Sequence, residues 1–264
     1  METDSLIIQR PGKCRASLNF DAISNLCIAG EFRAKDRGHR VTRPADVFAM
    51  ENNRSLHGLR LLPGYATDVV LFVKGIPKDP RCTKVGGQPF WPQEKPWPVS
   101  EDGSPQKFLA QFNFSDSIDI LGPNLPAEIL VVTVDETPWA DTCQSFHWVL
   151  AESSQATDLR IPLANGVEGA SYGVLHRTAD YRDDIISATK IGGRPFFIQG
   201  DDHSYRERLL CQLGSFNAMV EVEARMETVC GHSSGGCGFR VGDGGHYYYF
   251  LAEDDTVSSL FDSH

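Results

Sequence analysis

The sequence lacks any long hydrophobic run and is short of basic residues relative to acidic ones. No window approaches the roughly 20 apolar residues that a membrane-spanning helix needs. The acidic stretch at residues 1–5, followed by a short apolar run, does not make a secretory signal. Lys and Arg number 25 against 35 Asp and Glu, a net charge of −10 that opposes binding to a phosphate backbone. We therefore expect a soluble, cytoplasmic protein that binds neither membranes nor nucleic acid.

The cysteines do not form a disulfide framework. There are seven of them, an odd number without regular spacing, which is typical of a reducing compartment. A chain of 264 residues is long enough to bury a core that needs no disulfide, metal or cofactor to fold. The 24 glycines and 15 prolines indicate many turns and short strands rather than long helices.

The most informative feature that is present is an internal repeat. Residues 83–90 and 189–196 agree at six of eight positions, and the second stretch begins 106 residues after the first. A second block follows each copy, at residues 107–112 and 208–213, with a spacing of 101 residues. Two ordered blocks at nearly constant spacing predict two copies of one supersecondary unit, related by a pseudo-twofold axis.

Each copy begins with a Lys-x-Gly-Gly-x-Pro segment. Paired glycines permit positive φ angles, and the proline then favours an extended backbone, so we expect a rigid bend. The second block of each copy is strand-like and carries a glutamine, Gln111 or Gln212, among apolar neighbours. A buried amide needs partners. These glutamines therefore either tie the two blocks together or present their amides to a ligand.

Aromatic residues cluster between the two blocks of the first copy. Trp91 and Trp97 lie in a proline-rich segment that also contains a turn signal. Aromatic side chains held by prolines make rigid contact surfaces for a partner. Core packing is the other interpretation, and the sequence does not decide between the two.

These patterns predict short strands, few helices and two halves that share one core, and the family resemblance carried by the same motifs implies the fold class α+β with mixed β-sheets. The N-terminal segment, residues 1–65, lacks both blocks and has only a short helical pattern near residues 45–50. Residues 66–264 form the duplicated domain, with halves at about 66–150 and 172–264. Strands are predicted at residues 68–74, 129–135, 144–151 and 247–252, whereas 216–229 fits a strand or a short helix.

Several of these motifs together resemble the YwqG-like family. They are Lys84 to Pro89 with Trp91-Pro92, Phe108 to Gln111, Lys190 to Pro195 with Gln199, and Gly242 to Gly245 before an aromatic strand. The resemblance implies a duplicated α+β fold without an established enzymatic activity. It also implies a bacterial accessory protein, in some members an immunity protein against a polymorphic toxin.

A Cys/Gly-rich segment offers three chemical alternatives. Cys230, His232 and Cys237, with His246, are weak candidates for a zinc site, but the seven-residue cysteine spacing is not that of a structural zinc motif. Ser233 lies in a G-x-S-x-G match that lacks the following helix of a nucleophile elbow. A cysteine paired with a histidine is the third alternative. We favour a glycine-rich loop instead, and we place Asp243 in a tight turn or at a binding site.

Three functions remain open on this evidence. The leading hypothesis is a bacterial immunity-type protein that neutralises a cognate toxin by occlusion, with an acidic face over a basic active site. The alternative is a small-molecule or nucleotide binder whose cleft between the repeats places Lys84 and Lys190 near an anion. An enzyme that uses the Cys/His/Ser segment is the least favoured, so no catalytic residue is assigned. Binding candidates are Lys84, Trp91, Trp97, Gln111, Lys190, Gln212 and Asp243.

Overall fold

A computed structural model describes most of the chain after the N-terminal segment. The predicted segment 1–65 and its short helix lie outside the described residues, except for its last two positions. The described residues are 64–135, 144–156, 161–164, 167, 169–181, 184–199, 208–222, 225–228 and 238–263.

Strands dominate the described residues. The helical elements there are a 3-10 turn at Ser115–Ser117 and one helix, α1, at Ile118–Leu121. The predicted α+β class is therefore too rich in helix, and an all-β description is closer. The strands are β1 Tyr65–Lys74, β2 Lys84–Val85, β3 Lys107–Asn113, β4 Ile129–Val134, β5 Gln144–Val149, β6 Ser171–Asp180, β7 Lys190–Gly192, β8 Arg208–Gly214, β9 Phe216–Asn217, β10 Met219–Val222, β11 Arg225–Thr228, β12 Gly238–Phe239, β13 His246–Leu251 and β14 Val257–Asp262.

One large, mainly antiparallel sheet contains most of these strands. Its order is β14-β13-β8-β7-β1-β6-β2-β3-β4-β5, and β10 joins β1 in parallel at Val73↔Met219. The central pair is β1 and β6, two ten-residue strands in register from Tyr65↔Asp180 to Lys74↔Ser171. The apolar run within β1 is buried along almost its whole length, which suits a central strand covered on both faces.

The strands on the two sides of the central pair follow the same order: a short strand at a glycine bend, a glutamine-bearing strand, and two outer strands. On one side β1 is followed by β7, β8, β13 and β14, and on the other β6 is followed by β2, β3, β4 and β5. Strands β2 and β7 begin the glycine bends, and β3 and β8 carry the glutamines. Strand β1 precedes the first bend in the chain but pairs with β7 at the second bend. Strand β6 precedes the second bend but pairs with β2 at the first bend.

The main hydrophobic core draws residues from both sides of the sheet. Leu130 and Val132 of β4 share one buried cluster with Leu210 of β8 and Tyr249 of β13. The ring of Tyr249 lies 5.6 Å from that of Phe146 on β5, centroid to centroid. The sheet therefore curves until its two outer parts pack together, because only that curvature brings β5 and β13 into contact.

Local patterns forecast several strands correctly. The apolar runs at 68–74, 129–135, 144–151 and 247–252 correspond to β1, β4, β5 and β13. The alternating segment 216–229 contains the strands β9, β10 and β11, so the strand interpretation of that segment is confirmed. No helix in the described part of the chain is long and apolar enough to cross a membrane.

Candidate functional site

The two glycine bends have the same backbone shape. Gly86 and Gly87 have φ angles of 67° and 71°, and Gly192 and Gly193 have φ angles of 70° and 72°. All four angles are in the left-handed region that other residues adopt at a cost, so the paired glycines are needed for this shape. Both bends turn the chain sharply as it leaves a short strand.

Each glutamine braces the bend beside it. The Phe90 amide donates to Gln111 Oε1 at 2.6 Å, and the Gln111 side-chain amide donates to Cys82 O at 2.8 Å. In the other half, the Phe196 amide donates to Gln212 Oε1 at 2.9 Å. Both glutamines are completely buried. Of the two alternatives that the sequence left open, the structure shows the tie between blocks, because these amides are engaged within the fold.

The second bend encloses a buried ion pair. Lys190 Nζ lies 2.8 Å from Asp180 Oδ2, and both side chains are fully buried. The same oxygen accepts the Arg194 amide at 2.8 Å, and Oδ1 accepts the Ile186 amide at 2.8 Å. A buried carboxylate is stable here because each of its oxygens receives a donor.

Burial lowers the pKa of the lysine in this pair. It lowers the pKa of Lys190 to about 8, while Asp180 acts in the opposite direction.

The Asp180 carboxylate also explains why position 193 is a glycine. A Cβ atom added at Gly193 would lie 2.2 Å from Asp180 Oδ2.

The first bend borders a cleft. Lys84 Nζ donates to Gln88 O at 2.8 Å, and Lys84, Gly86, Gly87 and Gln88 all line a cleft of about 480 Å³. This volume falls in the range of small-molecule sites. Lys84 is 3% exposed, so its ammonium group is largely shielded from bulk water.

The other lining residues come from the loop after β1, from the stretch between β5 and β6, and from the start of β6. The loop after β1 contributes Ile76 and Pro77, and the segment before β6 contributes Ile161 and Leu163. Gln155 and Ser171 add an amide and a hydroxyl. Among the described lining residues, Lys84 is the one that carries a charge. The cleft therefore combines one cation with apolar walls and a few neutral polar groups.

The aromatic candidates lie elsewhere, in a second hydrophobic cluster. Trp91 is fully buried and packs with Phe90 and Phe108, and its ring lies 4.8 Å from that of Trp97. Both indole nitrogens donate to backbone carbonyls, Trp91 to Lys95 O and Trp97 to Gln106 O, each at 2.8 Å. Trp91 is a core residue, and Trp97 is a partly buried residue that packs against it.

A polar network borders the tryptophan cluster. Thr133 Oγ1 donates to Gln106 Oε1 at 2.5 Å and lies 3.1 Å from His147 Nε2. Burial and the nearby Lys95 lower the pKa of His147 to about 4. His147 is therefore neutral at physiological pH, where it serves as a hydrogen-bonding partner of the threonine.

An arginine network links β1, β6 and the helical turn. Arg177 Nε lies 2.5 Å from Asp68 Oδ1, and Arg177 also binds both carboxylate oxygens of Asp119, at 2.6 and 2.9 Å. Ser117 donates to Asp68 Oδ2 at 2.6 Å. These hydrogen bonds raise the pKa of Arg177. Both carboxylates bind the same guanidinium, so the network connects structural elements.

The remaining chemical candidates give no assembled site. Cys230, His232, Ser233 and Cys237 lie outside the described residues, whereas His246 begins β13 and contacts Ser187 O. Over the described ranges, no group of three or more His, Cys, Asp or Glu residues could hold a metal ion. Asp243 is exposed in the turn before β13.

Comparison with known proteins finds that one stretch of the chain is similar to a family of unknown function. Residues 83–132 match the family described as Domain of unknown function (DUF1963). That stretch contains the first bend, the Gln111 strand and most of β4, and YwqG-like domains belong to this family. No curated protein matches the chain.

Two important parts of the site were not predicted. Asp180 was not singled out, although a buried lysine needs a hydrogen-bonding or charged partner and Asp180 lies only ten residues before Lys190. The cleft was placed between the repeats, with both lysines facing an anion. The structure instead places Lys84 at a cleft beside the first bend and Lys190 in a closed ion pair.

Proposed function

We propose that this protein is a binding protein whose cleft beside the Gly86–Gly87 bend takes a small anionic ligand. The observation that carries this proposal is Lys84, a shielded cation in a cleft of about 480 Å³ whose other described lining residues are neutral. An ammonium group in such surroundings attracts an anion more strongly than one in water, because the local dielectric constant is lower.

The charge of the whole chain adds to the selectivity of such a site. A net charge of −10 repels anions from most of the surface, so a cationic cleft would be a local exception. The apolar walls formed by Ile76, Pro77, Ile161 and Leu163 favour an anion that also carries an apolar part. A strongly hydrated multivalent anion is disfavoured there.

Calorimetric titration and thermal unfolding with a panel of small anions test this proposal. We expect at least one anion to raise the unfolding temperature, since a ligand of the native state stabilises it by mass action. Lys84→Met removes the charge but keeps most of the side-chain volume, and it should abolish the shift. Lys107→Met is the matched control, because Lys107 lies at the start of β3 and does not line the cleft.

Two results of this experiment count against an anion-binding cleft. One is a panel without any stabilising anion. The other is an anion whose effect is unchanged by Lys84→Met.

We also infer that residues 66–150 and 172–264 are two copies of one unit related by a pseudo-twofold axis. The inference is supported by the matched bends, the matched glutamine bonds and the sheet order, which reads alike outwards from the central pair. The strands that carry the glutamines also share a register irregularity just before the glutamine. A sequence profile of one half that fails to detect the other would count against duplication.

The toxin-inhibitor hypothesis stays a prediction. Its support is the acidic net charge and the family resemblance, and the cleft favours a small ligand over a protein partner. Co-expression with the products of neighbouring genes, followed by co-purification and a cell-protection assay, is the direct test. A neighbouring toxin that binds the chain equally well after Lys84→Met would show that the two functions are separate.

A further inference from the structure

We propose that residues 76–78, which leave the sheet after β1, form a strap that closes over the apolar part of a ligand in the cleft. Ile76 is the side chain that the ligand buries, so this residue sets how strongly the cleft prefers an anion with an alkyl chain. The inference rests on the proposed function and adds the residue that determines its selectivity. The occupant is a small monovalent anion with an unbranched alkyl chain.

Ile76 lines the cleft without being buried. Its side chain is 90% exposed, more than any other large apolar side chain in the described part of the chain. It belongs to none of the buried clusters of the described residues. A single exposed isoleucine is ordinary on a protein surface. At the mouth of a cleft with aliphatic walls, however, a ligand that covers it removes apolar area from water, and this makes binding more favourable.

The strap is held on both sides and not in between. Before it, the Gly75 amide donates to Ala170 O at 2.9 Å. Beyond it, Pro80 O accepts the Gln111 side-chain amide at 3.1 Å. Within the described ranges of the chain, residues 76–78 themselves make no hydrogen bond. A segment with fixed ends and few contacts of its own moves more readily than the elements that it joins.

Gly75 is the hinge at the start of the strap. Its φ angle is 130°, which other residues rarely adopt, and a Cβ atom added there would meet no heavy atom within 4 Å. Backbone conformation rather than packing therefore sets the direction in which the strap leaves β1. Pro77 fixes its own φ and keeps Ile76 extended, so these two residues move together about Gly75 as one stiff unit.

The other aliphatic wall of the cleft is fixed. Ile161 and Leu163 pack against the buried cluster that contains Phe108. The Phe108 amide donates to Pro162 O at 2.8 Å, and the Ala164 amide donates to Phe108 O at 3.0 Å, so this segment is tied to β3 on both sides of Leu163. A ligand that enters the cleft therefore meets one aliphatic wall that cannot move and one, the strap, that can.

The two walls favour an alkyl chain over a planar ligand. The side chains that they contribute to the cleft are Ile76, Pro77, Ile161 and Leu163, all of them aliphatic. The described lining contains no aromatic ring on which a planar ligand would stack. An alkyl chain needs no hydrogen bonds, and it gains affinity with each methylene group that leaves water. The probe that we choose is 1-hexanesulfonate, with methanesulfonate as its short homologue.

Isothermal calorimetry of the full chain with these two anions tests the selectivity, because they share a head group and differ only in the alkyl chain. Hexanesulfonate should bind more tightly, by ~3-fold for each methylene group that the cleft buries. Ile76→Ser should weaken hexanesulfonate about 10-fold and leave methanesulfonate within about 2-fold of the wild type. Val99→Ser is the matched control, because Val99 is an exposed apolar residue that does not line the cleft.

Thiol labelling measures the closure itself. In the Ile76→Cys variant, the introduced thiol should react with iodoacetamide in the free protein, since reactivity requires exposure. Peptide mapping by mass spectrometry should show that saturating hexanesulfonate removes most of this reactivity, whereas methanesulfonate leaves it unchanged. The Val99→Cys variant should react equally under all three conditions.

The outcomes separate the strap from the anion-binding cleft. Hexanesulfonate binding that is unchanged by Ile76→Ser, or that is no tighter than methanesulfonate binding, overturns the strap and leaves the proposed function intact. Undiminished labelling at position 76 with hexanesulfonate bound overturns the strap as well. If neither sulfonate binds while another small anion does, only the strap is overturned. If no small anion binds, both proposals are overturned.

Discussion

Replacing Gln111 by methionine tests how the first bend is held. Methionine fills a similar volume but offers no amide, so the substitution removes hydrogen bonds without leaving a large cavity. Three bonds disappear: the one from the Phe90 amide at 2.6 Å, and those to Cys82 O at 2.8 Å and Pro80 O at 3.1 Å. Gln111 is completely buried, so water cannot easily replace the lost partners.

The magnitude follows from the groups left behind. An unsatisfied buried donor or acceptor costs about 1–3 kcal/mol. The Phe90 amide and Cys82 O are the principal losses, so we expect Gln111→Met to lower the free energy of unfolding by about 3 kcal/mol. Gln212→Met removes two bonds, from the Phe196 amide and to Ala188 O, and should cost slightly less.

Urea unfolding followed by circular dichroism measures both effects. Gln93→Met is the control, because Gln93 is exposed and a surface change of this kind is expected to stay within about 0.5 kcal/mol. A cost for Gln111→Met no greater than that of the control would refute the assignment of Gln111 as the brace of the bend. A large cost for only one of the two buried glutamines would refute their equivalence.

Three further predictions concern single residues. The folded-state pKa of His147, about 4, lies below its ordinary 6.5, so the unfolded chain binds the extra proton first. Stability should therefore fall as the pH drops from 6.5 to 4, and His147→Gln should reduce this loss in urea unfolding at the two pH values. Gly193→Ala should cost several times more than Gly103→Ala in the same assay. Both positions have positive φ, but an added Cβ meets Asp180 Oδ2 only at Gly193. Burial raises the pKa of Cys211 well above its usual range, so mass spectrometry should find its thiol unmodified by iodoacetamide in the native protein and modified in urea; rapid native labelling would contradict its burial.

The bends and their braces could be predicted from sequence because the signal is local. Gly-Gly followed by x-Pro restricts the backbone within a few residues, and the repeat of that pattern doubles the information. A glutamine in an apolar strand must find partners nearby, and the bend was the obvious source. Strands such as β4 and β13 were equally visible as continuous apolar runs.

The difference between the two lysines was not visible from sequence because it depends on strand pairing. Lys84 and Lys190 occupy equivalent motifs, but β6 ends in Asp180, which pairs with Lys190, while β1 ends at Lys74 beside the cleft. Strand β6 itself mixes polar and apolar residues and was not predicted. In the sheet, β1 pairs with β7 and β6 pairs with β2, so each long strand pairs with the bend that is farther away in the sequence. Local sequence patterns contain no information about this pairing.

The predicted α+β class contained too much helix. A chain with few strong helical patterns is placed in the α+β class only through its family resemblance. The described residues instead use short turns between strands, with α1 limited to four residues. Frequent glycine and proline were the better guide, because both disfavour helix interiors.

Backbone amide chemical shifts in ¹⁵N-labelled protein, recorded during addition of each small anion of the panel, test most directly whether the cleft at the first bend binds an anion. The account predicts a large, saturable shift of the Gln88 amide, with the Arg194 amide unchanged because Asp180 already occupies its acceptor position. A shift at Arg194 without one at Gln88, or no saturable shift at either bend, would contradict it.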